Sequence, residues 1–268
     1  MLSRVAAWLV HCYTAAGLVA AAGMAVMIAR GGDGAFRWAF VLMVAATAID
    51  STDGWLARRA RVKDVLPEFD GRTLDDLTDF QTYTSMPLFL IWRAHILPGA
   101  LAWVLLLPLL ASAYGFSRAN AKTADGFFLG FPSYWNVVAF YLYLLEPPVT
   151  VSLAVIVGFA LLTFVPARYL YITRGGPFST VMTVTGIIWA ALTFVLAIGA
   201  VAEPKTLARI SLIYPLAYLA LSWVVTIKRA GGAGRAGGAG GAGGGAGRAG
   251  RASGAGGASG AVRASTTD

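Results

Sequence analysis

Long apolar runs alternate with short polar segments along the chain, and this alternation predicts membrane-spanning helices. A helix needs about 20 apolar residues to cross a bilayer. The predicted spans are residues 8–29, 37–58, 75–93, 96–114, 133–145, 149–166, 179–200 and 209–227. Pro147 and Pro148 separate the fifth span from the sixth, so these two form either one broken helix or a helical hairpin. The predicted fold is therefore an all-α, polytopic membrane helical bundle of about eight transmembrane helices.

The composition supports this fold class and divides the chain into two parts. Hydrophobic residues make up 57% of the chain and charged residues only 13%, whereas a soluble domain carries about 25% charged residues. The first apolar run is too long for a signal peptide, and similar runs follow it. From residue 230 the sequence is almost entirely Gly, Ala, Ser and scattered Arg. We therefore expect a transmembrane catalytic domain at 1–229 and a disordered cytoplasmic tail at 230–268.

The positive charge of the chain indicates membrane topology rather than nucleic-acid binding, because the spans break up the basic residues. The net charge is +8. With a cytoplasmic N-terminus, twelve basic residues lie inside and five outside before the tail is counted, as the positive-inside rule requires. The inside residues are Arg4, Arg58, Arg59, Arg61, Lys63, Arg72, Arg118, Lys122, Arg168, Arg174, Lys228 and Arg229, and the outside ones are Arg30, Arg37, Arg93, Lys205 and Arg209. This orientation places the loop between spans two and three in the cytoplasm.

Carboxylates concentrate around that loop. Eight of the thirteen acidic residues lie between Asp50 and Asp79. Asp50 and Asp53 end span two at i,i+3 spacing, and Asp75 and Asp79 begin span three at i,i+4 spacing, so each pair shares one helix face. Four carboxylates aimed at one point repel one another unless they are protonated or bind cations. Without His or Cys nearby, these oxygen ligands favour Mg²⁺ or Mn²⁺, and a pair of ions is the usual arrangement for displacement at phosphorus.

The residues between the two acidic pairs suit a phosphate-bearing ligand. Gly54 lets a ligand lie against the helix, Ala57 extends this open surface, and Arg58 can hold a phosphate through two hydrogen bonds. Gly71 again leaves room just before the second pair. The remaining acids of the intervening segment are interpreted as solvated loop charges; they are Asp64, Glu68 and Asp70. His11 has no partner at ligand spacing, so we expect a structural role, and the single Cys12 excludes an intrachain disulfide.

At these positions the chain resembles the CDP-alcohol phosphatidyltransferase family. The family pattern is Asp-x2-Asp-Gly-x2-Ala-Arg, a spacer of eight, then Gly-x3-Asp-x3-Asp. The matching residues here are Asp50, Asp53, Gly54, Ala57, Arg58, Gly71, Asp75 and Asp79. One departure is the spacer, because twelve residues separate Arg58 from Gly71. This longer spacer, with the segments YGFSRANAKTADGFFLGFPSYWN and FVPARYLYITR, resembles the bacterial phosphatidylcholine synthase branch.

The resemblance implies a site, a reaction and a location. Asp50, Asp53, Asp75 and Asp79 would hold two Mg²⁺ or Mn²⁺ ions, and Asp79 would also act as the base on the acceptor hydroxyl. The CDP site would be lined by Gly54, Ala57, Arg58 and Gly71. CDP-diacylglycerol and choline would be the substrates, with CMP released at the cytoplasmic side of a bacterial inner membrane. The sequence leaves the oligomeric state open, and a homodimer is compatible with it.

The identity of the acceptor rests mainly on this resemblance. A quaternary ammonium is typically held by aromatic faces, and the leading candidates are Tyr83, Tyr134 and Trp135. Tyr and Trp also gather at membrane interfaces whatever the function. Serine, inositol or glycerol phosphate is an alternative acceptor, and a divalent-cation transporter is an alternative class. A transporter would leave Gly54 and Gly71 without a role, and a cation pathway would not favour Arg58.

Overall fold

Helices dominate the structure, which confirms the all-α fold. The computed structural model describes residues 2–119, 123, 127–170 and 179–239. The helices are α1 (Leu2–Arg30), α2 (Asp33–Arg59), α3 (Val62–Val65), α4 (Gly71–Asp79), α5 (Met86–Arg93), α6 (Leu106–Ser117), α7 (Trp135–Leu145), α8 (Val149–Leu162), α9 (Ser179–Ile198), α10 (Pro204–Ser211) and α11 (Ile213–Ala239). A π-helical segment, Phe80–Ser85, joins α4 to α5, and a 3₁₀ segment, Gly99–Leu105, precedes α6.

Five helical stretches among the described residues are long and apolar enough to cross a membrane, so the chain is a multi-pass membrane protein. They are Ser3–Arg30, Asp33–Arg59, Gly99–Ser117, Thr180–Ile198 and Pro204–Lys228. The expected total of eight spans remains a prediction. The fifth and sixth predicted spans are separate helices, α7 and α8, because the backbone turns at Glu146 with a left-handed φ of 47° and two prolines follow.

The first two helices form a hairpin around which the core is built. Gly31 and Gly32 adopt φ angles of 73° and 85°, which a residue without a Cβ tolerates best, and they reverse the chain between α1 and α2. Met24 of α1 and Phe40 of α2 are buried in the main core. Leu90 of α5 and other fully buried side chains from α7 and α8 join them. Large apolar side chains elsewhere remain on the outer surface, as expected of helices that face lipid.

Two short strands tie loops together beside the last helix. β1 (Phe127–Leu129) and β2 (Arg168–Leu170) pair antiparallel, with Phe128 opposite Tyr169. No strand was expected from the apolar pattern, because three residues are too few to show a period. Side chains of α11 form hydrogen bonds with the backbone along the outer edge of β2.

The chain divides into two compact units, Met1–Lys228 and Arg229–Asp268. All the residues of the candidate site lie in the first unit. Helix α11 continues to Ala239, and residues 240–268 of the predicted tail lie outside the described residues. The domain boundary at 229 and the disorder of the tail therefore stay predictions.

Candidate active site

Three carboxylates from two helices converge at one end of the bundle. Asp50 lies in the last part of α2, and Asp75 and Asp79 lie on α4. One oxygen atom from each of these half-buried residues lies within 4.8 Å of the other two. Because i,i+4 spacing keeps Asp75 and Asp79 on one helix face, the short α4 aims both at Asp50. Three carboxylates at this separation suit a hard divalent cation.

The fourth acidic residue of the predicted set turns towards a different neighbour. Asp53 is 6% exposed, and its Oδ2 accepts a hydrogen bond of 2.9 Å from the Thr14 hydroxyl of α1. It does not join the three-carboxylate group within the described part of the chain. Residues three apart on a helix differ in direction by about 60°, which is enough to face Asp53 towards α1. The predicted convergence of four carboxylates is thus observed for three.

A change in helix type directly after Asp79 places an aromatic side chain against the carboxylates. The π segment Phe80–Ser85 follows Asp79, and π turns within helices are frequent at functional sites. Tyr83 in this segment is 8% exposed, and its hydroxyl donates a 2.7 Å hydrogen bond to Asp50 Oδ2. The ring of Tyr134 lies 6.1 Å from that of Tyr83. Two of the three choline candidates therefore lie together beside the acidic group.

The third choline candidate lies inside the protein core. Trp135 is fully buried, and its indole N–H donates a 2.8 Å hydrogen bond to Ser112. Its ring packs at 5.5 Å against that of Phe131. These contacts account for the size and the polar atom of Trp135 by packing between α6 and α7.

The segment that leads into α4 is fixed by two of its acidic residues. Asp70 is exposed, as expected, yet it also caps α4: its Oδ1 accepts hydrogen bonds from the backbone N–H groups of Arg72 and Thr73, at 3.0 and 3.2 Å. The Thr73 hydroxyl donates to Asp70 Oδ2 at 2.7 Å. Chiefly through these bonds from Thr73, the pKa of the Asp70 carboxyl is held below its ordinary value. Glu68 pairs with Arg4 of α1, which ties the same segment to the first helix.

Gly71 marks a close approach between α4 and α1. A Cβ at this position would lie 2.6 Å from Cε1 of His11, so only glycine fits without displacement. His11 is buried and its ring packs against Trp8 and Phe69, with ring centroids 5.8 and 4.4 Å away. These packing contacts agree with the structural role expected of the histidine, and the missing side chain of Gly71 lets α4 lie close to α1.

The remaining motif residues line the end of α2. Arg58 is exposed, and its guanidinium lies over Gly54, where an added Cβ would be 3.5 Å from Nη1. Ala57 is half-buried and packs on a small cluster formed by Ala7, Val62 and Leu66. Gly54 and Arg58 therefore share an accessible surface near the carboxylates, whereas Ala57 also supports the packing of α3 against α1.

Helix α11 places one tyrosine, Tyr218, beside the choline candidate Tyr134, and this residue was not predicted from the sequence. The ring of Tyr218 lies 6.1 Å from that of Tyr134, and Tyr218 is only 5% exposed. Its hydroxyl donates to the Leu170 carbonyl oxygen of β2 at 3.1 Å. The hydroxyl residues Tyr218, Ser222 and Thr226 recur every four positions in an apolar helix, and this polar stripe was the signal in the sequence that α11 packs against something polar.

Comparison with known proteins identifies the family. No family model matches the chain. A phosphatidylcholine synthase of Borreliella burgdorferi is 31% identical over 82% of this chain and 94% of its own length. The Pseudomonas aeruginosa phosphatidylcholine synthase is 32% identical over 70% of this chain and 78% of its own length. The match to the Legionella pneumophila phosphatidylcholine synthase, at 36% identity, spans 63% of this chain and 66% of the relative. The chain therefore belongs to the bacterial phosphatidylcholine synthase family.

Proposed function

We propose that this protein transfers the phosphatidyl group of CDP-diacylglycerol to choline and releases CMP. The observation that carries the proposal is the convergence of Asp50, Asp75 and Asp79 within a motif shared with the CDP-alcohol phosphatidyltransferases. Similarity to phosphatidylcholine synthases along most of the chain supports choline as the acceptor. Alternative acceptors are tested directly in the assay described below.

The carboxylate group fits a divalent cation, Mg²⁺ or Mn²⁺, and a second ion is proposed alongside it. Asp50, Asp75 and Asp79 would hold the first, because their oxygens already lie close enough for joint coordination. Asp53 would complete the set for the second ion, one turn along α2 from Asp50. Such ions polarise phosphoryl oxygens and stabilise the charge on the leaving group.

Within this site Asp79 is proposed to act as the base. Its carboxylate takes the proton from the choline hydroxyl, and the resulting oxygen attacks the phosphorus that carries diacylglycerol. A new P–O bond forms to choline while the P–O bond to the bridging oxygen breaks, so CMP leaves with the electron pair. Asp79 is suited to this role because it ends α4, belongs to the acidic group and directly precedes the π segment that carries Tyr83. Positioning and electrostatics carry most of such a transfer.

The CDP moiety is proposed to bind across the end of α2. Gly54 leaves the helix surface open, and the Arg58 guanidinium above it can pair with phosphate oxygens in a bidentate manner. Ala57 and Gly71 keep the neighbouring surface free of larger side chains. Of the choline candidates, Tyr83 and Tyr134 are retained because of their place beside Asp50, while the contacts of Trp135 are explained by the core.

An acceptor panel tests the proposal. The purified protein is reconstituted in vesicles with CDP-diacylglycerol, and CMP release and lipid product are measured with choline, serine, inositol and glycerol 3-phosphate in turn. We expect phosphatidylcholine and CMP with choline, loss of both after EDTA treatment, and recovery with Mn²⁺ or Mg²⁺. Release of CMP with serine but not choline would overturn the choice of acceptor, and divalent-cation flux without any CMP would favour a transporter.

The active site is proposed to face the cytoplasm of a bacterial inner membrane. The support is the distribution of basic residues, of which twelve fall on the same side as the motif when the N-terminus is inside. Accessibility of one introduced cysteine tests this orientation. In a Cys12→Ser background, Asp64→Cys should react with an impermeant maleimide only after the inner membrane is opened. Labelling in intact spheroplasts would place the motif on the opposite side.

A further inference from the structure

Three tyrosines from distant parts of the chain follow one another in ring contact, and the first of them, Tyr83, is bonded to the acidic group. Tyr83 comes from the π segment, Tyr134 from the residue before α7, and Tyr218 from α11. The ring centroids of Tyr83 and Tyr134 are 6.1 Å apart at 54°, and those of Tyr134 and Tyr218 are 6.1 Å apart at 61°. Tyr134 therefore stands between the other two, with its ring inclined to both. Inclined rings at this spacing approach the edge-to-face arrangement that aromatic pairs prefer, so the three rings form one continuous aromatic surface.

The orientation of Tyr218 is fixed by contacts that use its hydroxyl. The hydroxyl donates to the carbonyl oxygen of Leu170 in β2. One and two turns further along α11, Ser222 Oγ accepts from the N–H of Leu170 at 3.2 Å, and Thr226 Oγ1 accepts from the N–H of Arg168 at 2.8 Å. These three side chains attach α11 to the edge of β2. The polar atom of Tyr218 is thus engaged at β2 and also makes a side-chain hydrogen bond with Tyr134, whose ring adjoins its own.

The first of these tyrosines, Tyr83, lies beside the carboxylates where the acceptor hydroxyl is expected to react. Tyr83 donates to Asp50, and an oxygen of Asp50 lies within 4.8 Å of one of Asp79. In choline only two carbons separate the hydroxyl from the quaternary nitrogen, so the cation must be held within a few ångströms of the hydroxyl and hence of the base. A quaternary ammonium has no N–H to donate, and it binds within about 6 Å of aromatic ring centroids.

We propose that Tyr218, together with Tyr83 and Tyr134, forms a tyrosine wall that binds the trimethylammonium group of the acceptor. Tyr218 thereby determines specificity for quaternary over primary amines. The proposal rests on the proposed function, because it concerns the acceptor site of that reaction. A primary ammonium needs hydrogen-bond acceptors for its three N–H groups, and aromatic faces do not replace them well. The last helix of the bundle would therefore decide which alcohol is used.

Substitution of Tyr218 tests the proposal through the kinetics of choline. Tyr218→Ala should raise the KM for choline by about 3- to 30-fold, the range expected for loss of one cation–π contact in a buried site. Tyr218→Phe keeps the ring and should stay within about threefold of wild type. Inhibition by tetramethylammonium, which has the cation but no hydroxyl, should weaken in parallel with the KM for choline. The KM for CDP-diacylglycerol should not change.

Tyr214→Ala is the matched control on the same helix. Tyr214 lies one turn before Tyr218, but its ring stacks on Trp189 and its hydroxyl donates to the Met182 carbonyl oxygen. Its loss removes a ring of equal size, so a general weakening of α11 would raise the KM in both variants. Equal effects of Tyr214→Ala and Tyr218→Ala would overturn the proposal. So would a Tyr218→Phe variant as impaired as Tyr218→Ala, since that result would assign the effect to the hydrogen bonds of the hydroxyl with Leu170 and Tyr134.

A fluorinated phenylalanine series at position 218 separates the π face from packing. Successive fluorines weaken the negative potential of the ring while the shape of the side chain changes little. The KM for choline should rise steadily with fluorine number, whereas a purely structural ring would give a flat series. If wild-type protein makes no phosphatidylcholine but uses another alcohol, the proposed function fails; a flat series in a protein that does make it refutes only the role of Tyr218.

Discussion

The acidic group (Asp50, Asp75 and Asp79) and the proposed tyrosine wall (Tyr83, Tyr134 and Tyr218) adjoin each other at Tyr83 but are built in different ways. The carboxylates of Asp50, Asp75 and Asp79 come from thirty consecutive residues, two helices and one connecting segment. The tyrosines come from positions 83, 134 and 218, and Tyr218 lies beside Tyr134 on a helix, α11, that is attached to a two-stranded sheet. The residues proposed to carry out phosphatidyl transfer are thus encoded locally, whereas the surface proposed to select the acceptor is encoded by long-range packing.

The two regions should respond differently to substitutions. A local motif keeps its geometry as long as its own helices form, because spacing along a helix fixes which side chains share a face. A surface assembled from distant elements changes whenever one of those elements shifts. Substitutions in the acidic group should therefore affect turnover with any acceptor, and substitutions in the tyrosine wall should affect the choice of acceptor.

The largest effect is expected at the acidic group. Asp75→Asn removes one negative ligand from the three-carboxylate set and should lower kcat by about 10³-fold or more, since metal stabilisation of a transition state is worth several kcal/mol. Asp76→Asn is the control: Asp76 is adjacent in sequence but pairs with Arg72 at 3.6 Å outside the group. Its activity should remain close to wild type. Equal losses in the two variants would mean that charge on α4, rather than joint coordination, is what matters.

A smaller effect is expected at the junction between α4 and α1. Gly71→Ala places a methyl group against His11, so we expect α4 to shift and kcat to fall by roughly 10- to 100-fold, as small misplacements of catalytic groups do. His11→Ala in the same chain makes room for that methyl group. Recovery of activity in the double variant would identify Gly71 as a packing residue. No recovery would favour direct contact between Gly71 and the CDP moiety.

A moderate effect is expected where the two regions meet. Tyr83→Phe keeps the aromatic ring but removes the hydrogen bond to Asp50, which should lower kcat by roughly 2- to 10-fold, the range for a hydrogen bond of typical net strength. The KM for choline should change less than in Tyr218→Ala. A change in the KM for choline alone would show that Tyr83 belongs functionally to the tyrosine wall and not to the acidic group.

The smallest effect is expected from the cap of α4. Asp70→Ala removes the acceptor for two backbone N–H groups and should lower the melting temperature by a few degrees, whereas Asp70→Asn retains an acceptor and should be close to wild type. The folded pKa of Asp70 lies below its unfolded value of about 3.9. The contribution of the carboxylate is therefore present above that pH and is lost as the pH falls through the folded pKa. Melting curves of the three proteins at pH 7 and below pH 4 check both statements.

By itself the sequence was sufficient for the fold class, the family and the position of the acidic group. Long apolar runs predict membrane helices because a bilayer requires about 20 such residues, and helical spacing places Asp75 and Asp79 on one face. Both properties depend only on neighbours in the chain. The fifth and sixth spans are separate helices, because the backbone at Glu146 has a left-handed conformation that separates α7 from α8.

Only the tertiary structure decided which neighbours the site residues face. Asp53 turns to Thr14, Trp135 is enclosed by the core, and Gly71 adjoins His11. None of these partners is adjacent in sequence, and the choice among them depends on how helices pack. Tyr218 is the clearest case, because a tyrosine in an apolar helix is expected at any membrane interface. It lies beside Tyr134 on a helix whose side chains bond to β2, and the polar stripe of α11 did not indicate which element would be its partner.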